Sequence, residues 1–248
     1  LDPFASGSIL PCVQVAPMGW TWAFWFVHRL RTNIITQSGL PPCSIVAGDW
    51  PPPPLAAEAI TLPYCDNITV LSIDRNVAIA TRDRICKAFA NLGVEMHEIN
   101  EVCATGETLG ATISDLPVVV RRKPARMRAI QGALAALGAG RPVTGKEVEK
   151  VIGHYVFLSM FRRCLLAPMR SLNDFIHDSY HFRQPLWPSA RLEAKIMSQL
   201  CPFASTGLSA PWVGVASSSD ACDTGWGVCE RNITPSDAQD IGQWNERW

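Results

Sequence analysis

"LPYCDNITVL", residues 62–71, sets a short acidic tetrapeptide between two apolar runs. Tyr64, Cys65, Asp66 and Asn67 follow Leu62 and Pro63, and Ile68, Val70 and Leu71 come after them. Over 59–73, AITLPYCDNITVLSI reads as strand, turn, strand, because β-branched and apolar residues fill both arms and the polar pair marks the reversal. Two explanations of the carboxylate stand side by side. Asp and Asn are common turn residues, since their side chains bond nearby backbone and tolerate left-handed conformations. Alternatively, the hairpin tip carries a metal ligand, with Asp66 as that ligand.

Working outward, NVAIATRDRICKAFANLGVEMHE (76–98) puts Ile79, Ile85, Ala88, Phe89 and Leu92 at helical spacing. Gly93 falls where a helix C-terminus takes glycine. Upstream, 1–15 reads as extended, with Ile9, Leu10, Val13 and Val15 as its apolar positions. Pro17 and Gly19 interrupt it, and a buried helix is expected from Trp20 to about Thr36. Its apolar run, 16–30, is too short to span a bilayer and has no basic leader, so neither a membrane span nor a signal peptide is expected. Residues 39–54 carry six prolines and two glycines and read as a loop.

Downstream, TLGATISD (108–115) reads as one short strand, and 116–127 as an extended segment that turns basic. Arg121, Arg122, Lys123, Arg126 and Arg128 fall within 121–128. They are either a solvated helix start or a set of phosphate contacts. Helices are expected at 125–140, 143–163, about 167–180 and about 189–200, the second opened by a Thr144–Glu147 capping box. A loop at 201–211 and two strands within 212–230 complete the pass. The order suggests an α+β module, a helical module and a fresh β start.

Bulk composition narrows the classes. A chain of 248 residues makes one large or two small domains, and 48% hydrophobic against 18% charged residues implies a packed core. Zero formal net charge argues against a strongly basic, non-specific nucleic-acid binder but leaves room for a local patch. Nine cysteines without a C-x-x-C pair favour reduced thiols over a zinc site or disulfide framework, hence an intracellular setting, cytoplasm or nucleus. His177 and His181 could share a helix face as metal ligands do, but no third ligand is evident and an ordinary surface helix is expected. Leu1 in place of Met suggests a fragment.

Together these motifs resemble reverse transcriptases, nearest in flavour to the retroelement polymerases of the tyrosine-recombinase, DIRS-like group. QVAPMGWTWAFWFVHRL is similar to the family's template-contacting motif, and YCDN to its Tyr-x-Asp-Asp turn. LGVEMHE resembles the motif that follows, and TLGATISD the strand before the thumb. SSDACDTGWGV resembles the first strand of ribonuclease H.

The resemblance implies an α+β fold divided into a partial polymerase palm (1–120), a helical thumb and connection (121–205), and the start of a ribonuclease H-like domain (206–248). It implies Asp66 and Asp220 as catalytic magnesium ligands, while Asp223, three residues on and shortly before Gly225, reads as a turn residue. Pro17, Met18, Gly19, Arg121, Arg122 and Lys123 become nucleic-acid contacts. Partners would be an RNA/DNA primer-template and deoxynucleotides, with no membrane.

Two departures matter. Only Asp2 precedes Pro17, where the family carries a second catalytic Asp on an earlier strand, and Asn67 stands where the turn has its second Asp. The chain by itself is therefore expected to be inactive. The alternative is a non-catalytic nucleic-acid-binding or interaction module that keeps the fold.

Overall fold

Among the described residues, fifteen regular helices and strands, joined by short 3-10 turns, follow one another in a mixed α+β order with small antiparallel sheets. The computed structural model describes residues 22–47, 53, 57–115, 117–222 and 224–242. The expected extended segment at 1–15 and the motif at 17–19 lie outside these. The chain divides into two compact units: residues 1–102 with 212–248, and residues 103–211. These limits differ from 120/121 and 205/206, because strands on both sides of the helices pair in one sheet.

In the first unit, helix α1 (Ala23–Gln37) precedes strands β1 (Ala59–Tyr64) and β2 (Asn67–Ser72), and helix α2 (Arg75–Asn91) follows. The strands are antiparallel in the register Ile60↔Leu71, Leu62↔Thr69 and Tyr64↔Asn67. Asp74 starts α2, its carboxylate accepting from the Asn76 and Val77 amides. Gly93, with φ +67°, lies just past its end, as its position in the sequence predicts. Ile34, Ile35, Ile45, Ile85 and Phe89 form the core here.

The expectation of a buried first helix needs correction. Trp22, Phe24, Trp25, Phe26 and Leu30 are each about half exposed, and the buried residues of α1 are Thr32, Ile34 and Ile35. Only the later turns of α1 contribute to the Ile85–Phe89 core. The apolar run marked the helix but not the half of it that packs.

The unit also holds strands β7 (Val215–Cys222) and β8 (Gly225–Asn232), paired antiparallel, and helix α7 (Pro235–Gly242). Thr234 and Asp237 cap α7 reciprocally: the Asp237 amide donates to Thr234 Oγ1 at 3.1 Å, and the Thr234 amide to Asp237 Oδ2 at 3.2 Å.

The second unit begins with a meander, β3 (Thr105–Thr108), β4 (Ala111–Asp115) and β5 (Val118–Arg122). Four helices follow: α3 (Pro124–Gly138), α4 (Gly145–Ser159), α5 (Arg170–Asp178) and α6 (Pro188–Leu200). Strand β6 (Ser205–Gly207) then returns to pair with β5, giving the order β3-β4-β5-β6. Two expectations change. TLGATISD is the tip and second arm of a hairpin, because Leu109 (φ 49°) and Gly110 (φ 78°) both turn left-handed. Part of the loop at 201–211 is strand β6.

The helices bury one core, with Leu134, Val148, Tyr155, Leu158, Leu172, Phe175, Ala190 and Met197 at its centre. Tyr155 donates its hydroxyl to the Leu165 carbonyl at 2.9 Å, and burial pushes its pKa up to about 12. Among the described residues no helix is long and apolar enough to cross a membrane.

Candidate functional site

Because Tyr64 pairs with Asn67, the hairpin closes through two residues, Cys65 and Asp66. Cys65, not Asp66 or Asn67, takes the left-handed backbone, with φ 48°. A non-glycine residue there is strained by about 1–2 kcal/mol. Asp66 is exposed at the tip. Its Oδ1 accepts from Asn67 Nδ2 at 3.0 Å, so the neighbouring amide steadies the carboxylate. An Asp at 67 would instead place a like charge beside it.

Arg31, on α1, fixes the tip from outside. Its Nη1 donates to the Asp66 carbonyl at 2.6 Å, and its guanidinium carbon lies 5.8 Å from the centre of the Phe89 ring on α2. One side chain thus ties α1, the hairpin turn and α2 together. Tyr64, the residue before the turn, meets Phe24 edge-on at 5.6 Å, and Phe24 stacks on His28 at 5.9 Å. Neither Arg31 nor Phe24 is singled out by sequence, since both depend on where α1 lies against the hairpin.

Magnesium takes about six oxygen ligands in near-octahedral geometry. Asp66 supplies one carboxylate, and one of its oxygens is engaged by Asn67. Among the described residues no group of three or more His, Cys, Asp or Glu side chains is placed to hold a metal ion. The described residues therefore do not by themselves make up a two-metal site.

Asp220 lies on β7, exposed, opposite Gly227 in the register. Trp226, beside that glycine, is 81% exposed. Asp223 lies outside the described residues, as do Pro17, Met18 and Gly19. His177 is in α5 with its side chain exposed, whereas His181 lies beyond the helix end, so the two do not share a helix face.

The basic run divides by role. Arg121, on β5, is exposed. Arg122 packs inward, its guanidinium carbon 4.1 Å from the centre of the Phe157 ring on α4. A Cβ on Gly110 would lie 3.2 Å from Arg122 Nη1, so the hairpin tip fits closely against this stack. Lys123 is ion-paired with Glu107 of β3. Arg122 and Arg126 line a cleft of about 170 Å³ with Ala129, Ile130, Val151 and His154. Burial first, then the nearby Arg126 charge, holds the Arg122 guanidinium below its usual pKa. Sequence alone did not bring His154 to this place, since it comes from α4.

No protein-family model, curated protein or solved structure matches the chain.

Proposed function

We propose that this chain is part of a retroelement-type RNA-directed DNA polymerase: palm end, helical thumb and connection, and the first strands of a ribonuclease H-like domain. The observation that carries the reading is Asp66 on a two-residue hairpin turn between α1 and α2, its backbone held by Arg31 and its carboxylate by Asn67. A rigid tip is what nucleotidyl transfer asks of a metal-binding carboxylate, because both reacting oxygens must be held in line. Supporting context comes from the order of elements: helix, hairpin, helix, a small sheet leading into helices, then a hairpin bearing Asp220. In this reading Asp66 and Asp220 are the chain's contributions to two magnesium sites, and Arg121 is an exposed contact for a primer-template.

One carboxylate does not hold two magnesium ions, so the chain alone extends no primer. Incubation with an RNA/DNA primer-template, deoxynucleotides and magnesium should give no product above an Asp66→Ala control. Asp66-dependent extension would show that the 248 residues suffice. The chain should bind the hybrid duplex, with affinity falling as salt rises. Absence of any hybrid binding would overturn the polymerase reading.

A second reading is a non-catalytic nucleic-acid-binding module that retains the fold. Asn67, which leaves the turn with a single carboxylate, favours it. Restoring the acid with Asn67→Asp and supplying an upstream palm strand in trans separates the two. Extension recovered in that mixture supports the polymerase, and hybrid binding with no recovery supports the module.

A further inference from the structure

The cleft between α3 and α4 joins features that the hairpin tip does not use. Arg122 at the end of β5, Arg126 in the first turns of α3 and His154 on α4 converge on it. Its floor is small and apolar, with Ala129, Ile130 and Val151. At about 170 Å³ it is smaller than the roughly 300–1,000 Å³ that drug-sized ligands occupy.

Charge is the informative feature. Lys123 is paired with Glu107, and Arg183 reaches Glu147. Arg122 and Arg126 instead stand near each other, and neither has a carboxylate partner among the described residues. Arg122 Nε is buried and makes no hydrogen bond. Two like charges beside an apolar floor repel each other, and an anion between them relieves that repulsion while accepting charge-assisted hydrogen bonds. Guanidinium forks match phosphate oxygens, and an imidazole N–H adds a third donor.

We propose that this cleft binds a phosphate group. The proposal is independent of Asp66 and of any polymerase activity. The same chemistry is offered by a phosphodiester in a nucleic-acid backbone and by a free phosphate monoester, so the test includes both.

The probes are inorganic phosphate, followed by phosphorus NMR, and a fluorescently labelled RNA/DNA hybrid, followed by anisotropy at fixed ionic strength. Arg126→Gln and His154→Gln change exposed side chains, and far-UV circular dichroism checks that both fold. Arg141→Gln removes an exposed positive charge outside the cleft and serves as the control. Each cleft variant should weaken binding about tenfold, while the control stays within about twofold.

Loss confined to the hybrid identifies a backbone phosphodiester as the source. Loss confined to inorganic phosphate identifies a free monoester. Equal loss in all three variants means general charge attraction and overturns the proposal, as does failure of both probes to bind. Hybrid binding that ignores the cleft variants, with no phosphate binding, sinks the cleft and leaves the polymerase reading standing. Phosphate bound in the cleft with no hybrid binding does the reverse.

Discussion

Cys65 takes a left-handed φ of 48° at the hairpin tip, where glycine would sit without strain. Cys65→Gly should therefore stabilise the first unit, by about 1 kcal/mol after the entropy cost of glycine is set against the relieved strain. A urea midpoint that rises for Cys65→Gly and falls for Cys65→Val agrees with this. A fall for both would mean that the thiol makes a contact outweighing the strain. Arg31 gives the complementary test. Arg31→Met keeps apolar contact with Phe89 but deletes the donor to the Asp66 carbonyl, at a cost of about 1 kcal/mol in urea unfolding. An unchanged midpoint would mean that the turn holds without it. The turn itself was legible, since an Asp-Asn pair between two β-branched runs is common turn chemistry. Its strained residue was not. Asp and Asn are the usual hosts of left-handed backbone, yet the pairing of Tyr64 with Asn67 puts Cys65 first in the turn.

Helix ends show which contacts a linear reading reaches. Thr144 and Glu147 are three residues apart, and the capping box they make was legible from that spacing alone. The Glu147 carboxylate accepts from the Thr144 amide at 2.8 Å and from Arg183 at 2.5 Å; the first bond, then the second, holds its pKa below the usual value of 4.5. A depressed carboxylate stabilises the fold fully above its unfolded pKa, and that contribution is lost as pH falls through the folded one. Stability should therefore drop as pH falls below about 4.5. Glu147→Gln should flatten that part of the profile, and an unchanged slope would assign the acid sensitivity elsewhere. Thr234 and Asp237 use the same spacing at α7, with Pro235 between, so the signal for that helix was present in the sequence. Glu193 was not legible. It lies on α6, yet its two oxygens accept from the Ser171 and Leu172 amides of α5, each at 2.9 Å. Across more than twenty residues of separation, only packing reveals such a cap. Glu193→Ala should cost about 1–2 kcal/mol, as loss of an N-cap does, measured by urea unfolding of the second unit. A cost below about 0.5 kcal/mol would mean that solvent replaces the cap.

At the scale of the whole molecule, the division of the chain follows from strand β6. A sequence of three residues, Ser205–Gly207, carries too little pattern to be read as a strand, and its place is set by β5, more than eighty residues earlier. Once β6 pairs there, helices α3 to α6 lie between two neighbouring strands of one sheet, and the chain closes on itself between 103 and 211. The helical core draws all of its buried residues from 130–204. A segment of about a hundred residues with its own core and its own sheet has the size and wiring of an independent domain. Residues 103–211 expressed alone should therefore unfold in one cooperative urea transition and keep the far-UV spectrum of a helical protein. Tyr155 supplies the internal probe. Its buried hydroxyl, pushed up to about 12, should resist titration in the isolated segment until the segment unfolds. A segment that expresses as an aggregate, or in which Tyr155 titrates near 10, would mean that the core needs the rest of the chain. The same segment holds the Arg122–Arg126–His154 cleft and Arg121, while Asp66 and Asp220 lie outside it. If it folds alone and still binds the hybrid duplex, nucleic-acid affinity belongs to the helical unit and needs no catalytic carboxylate.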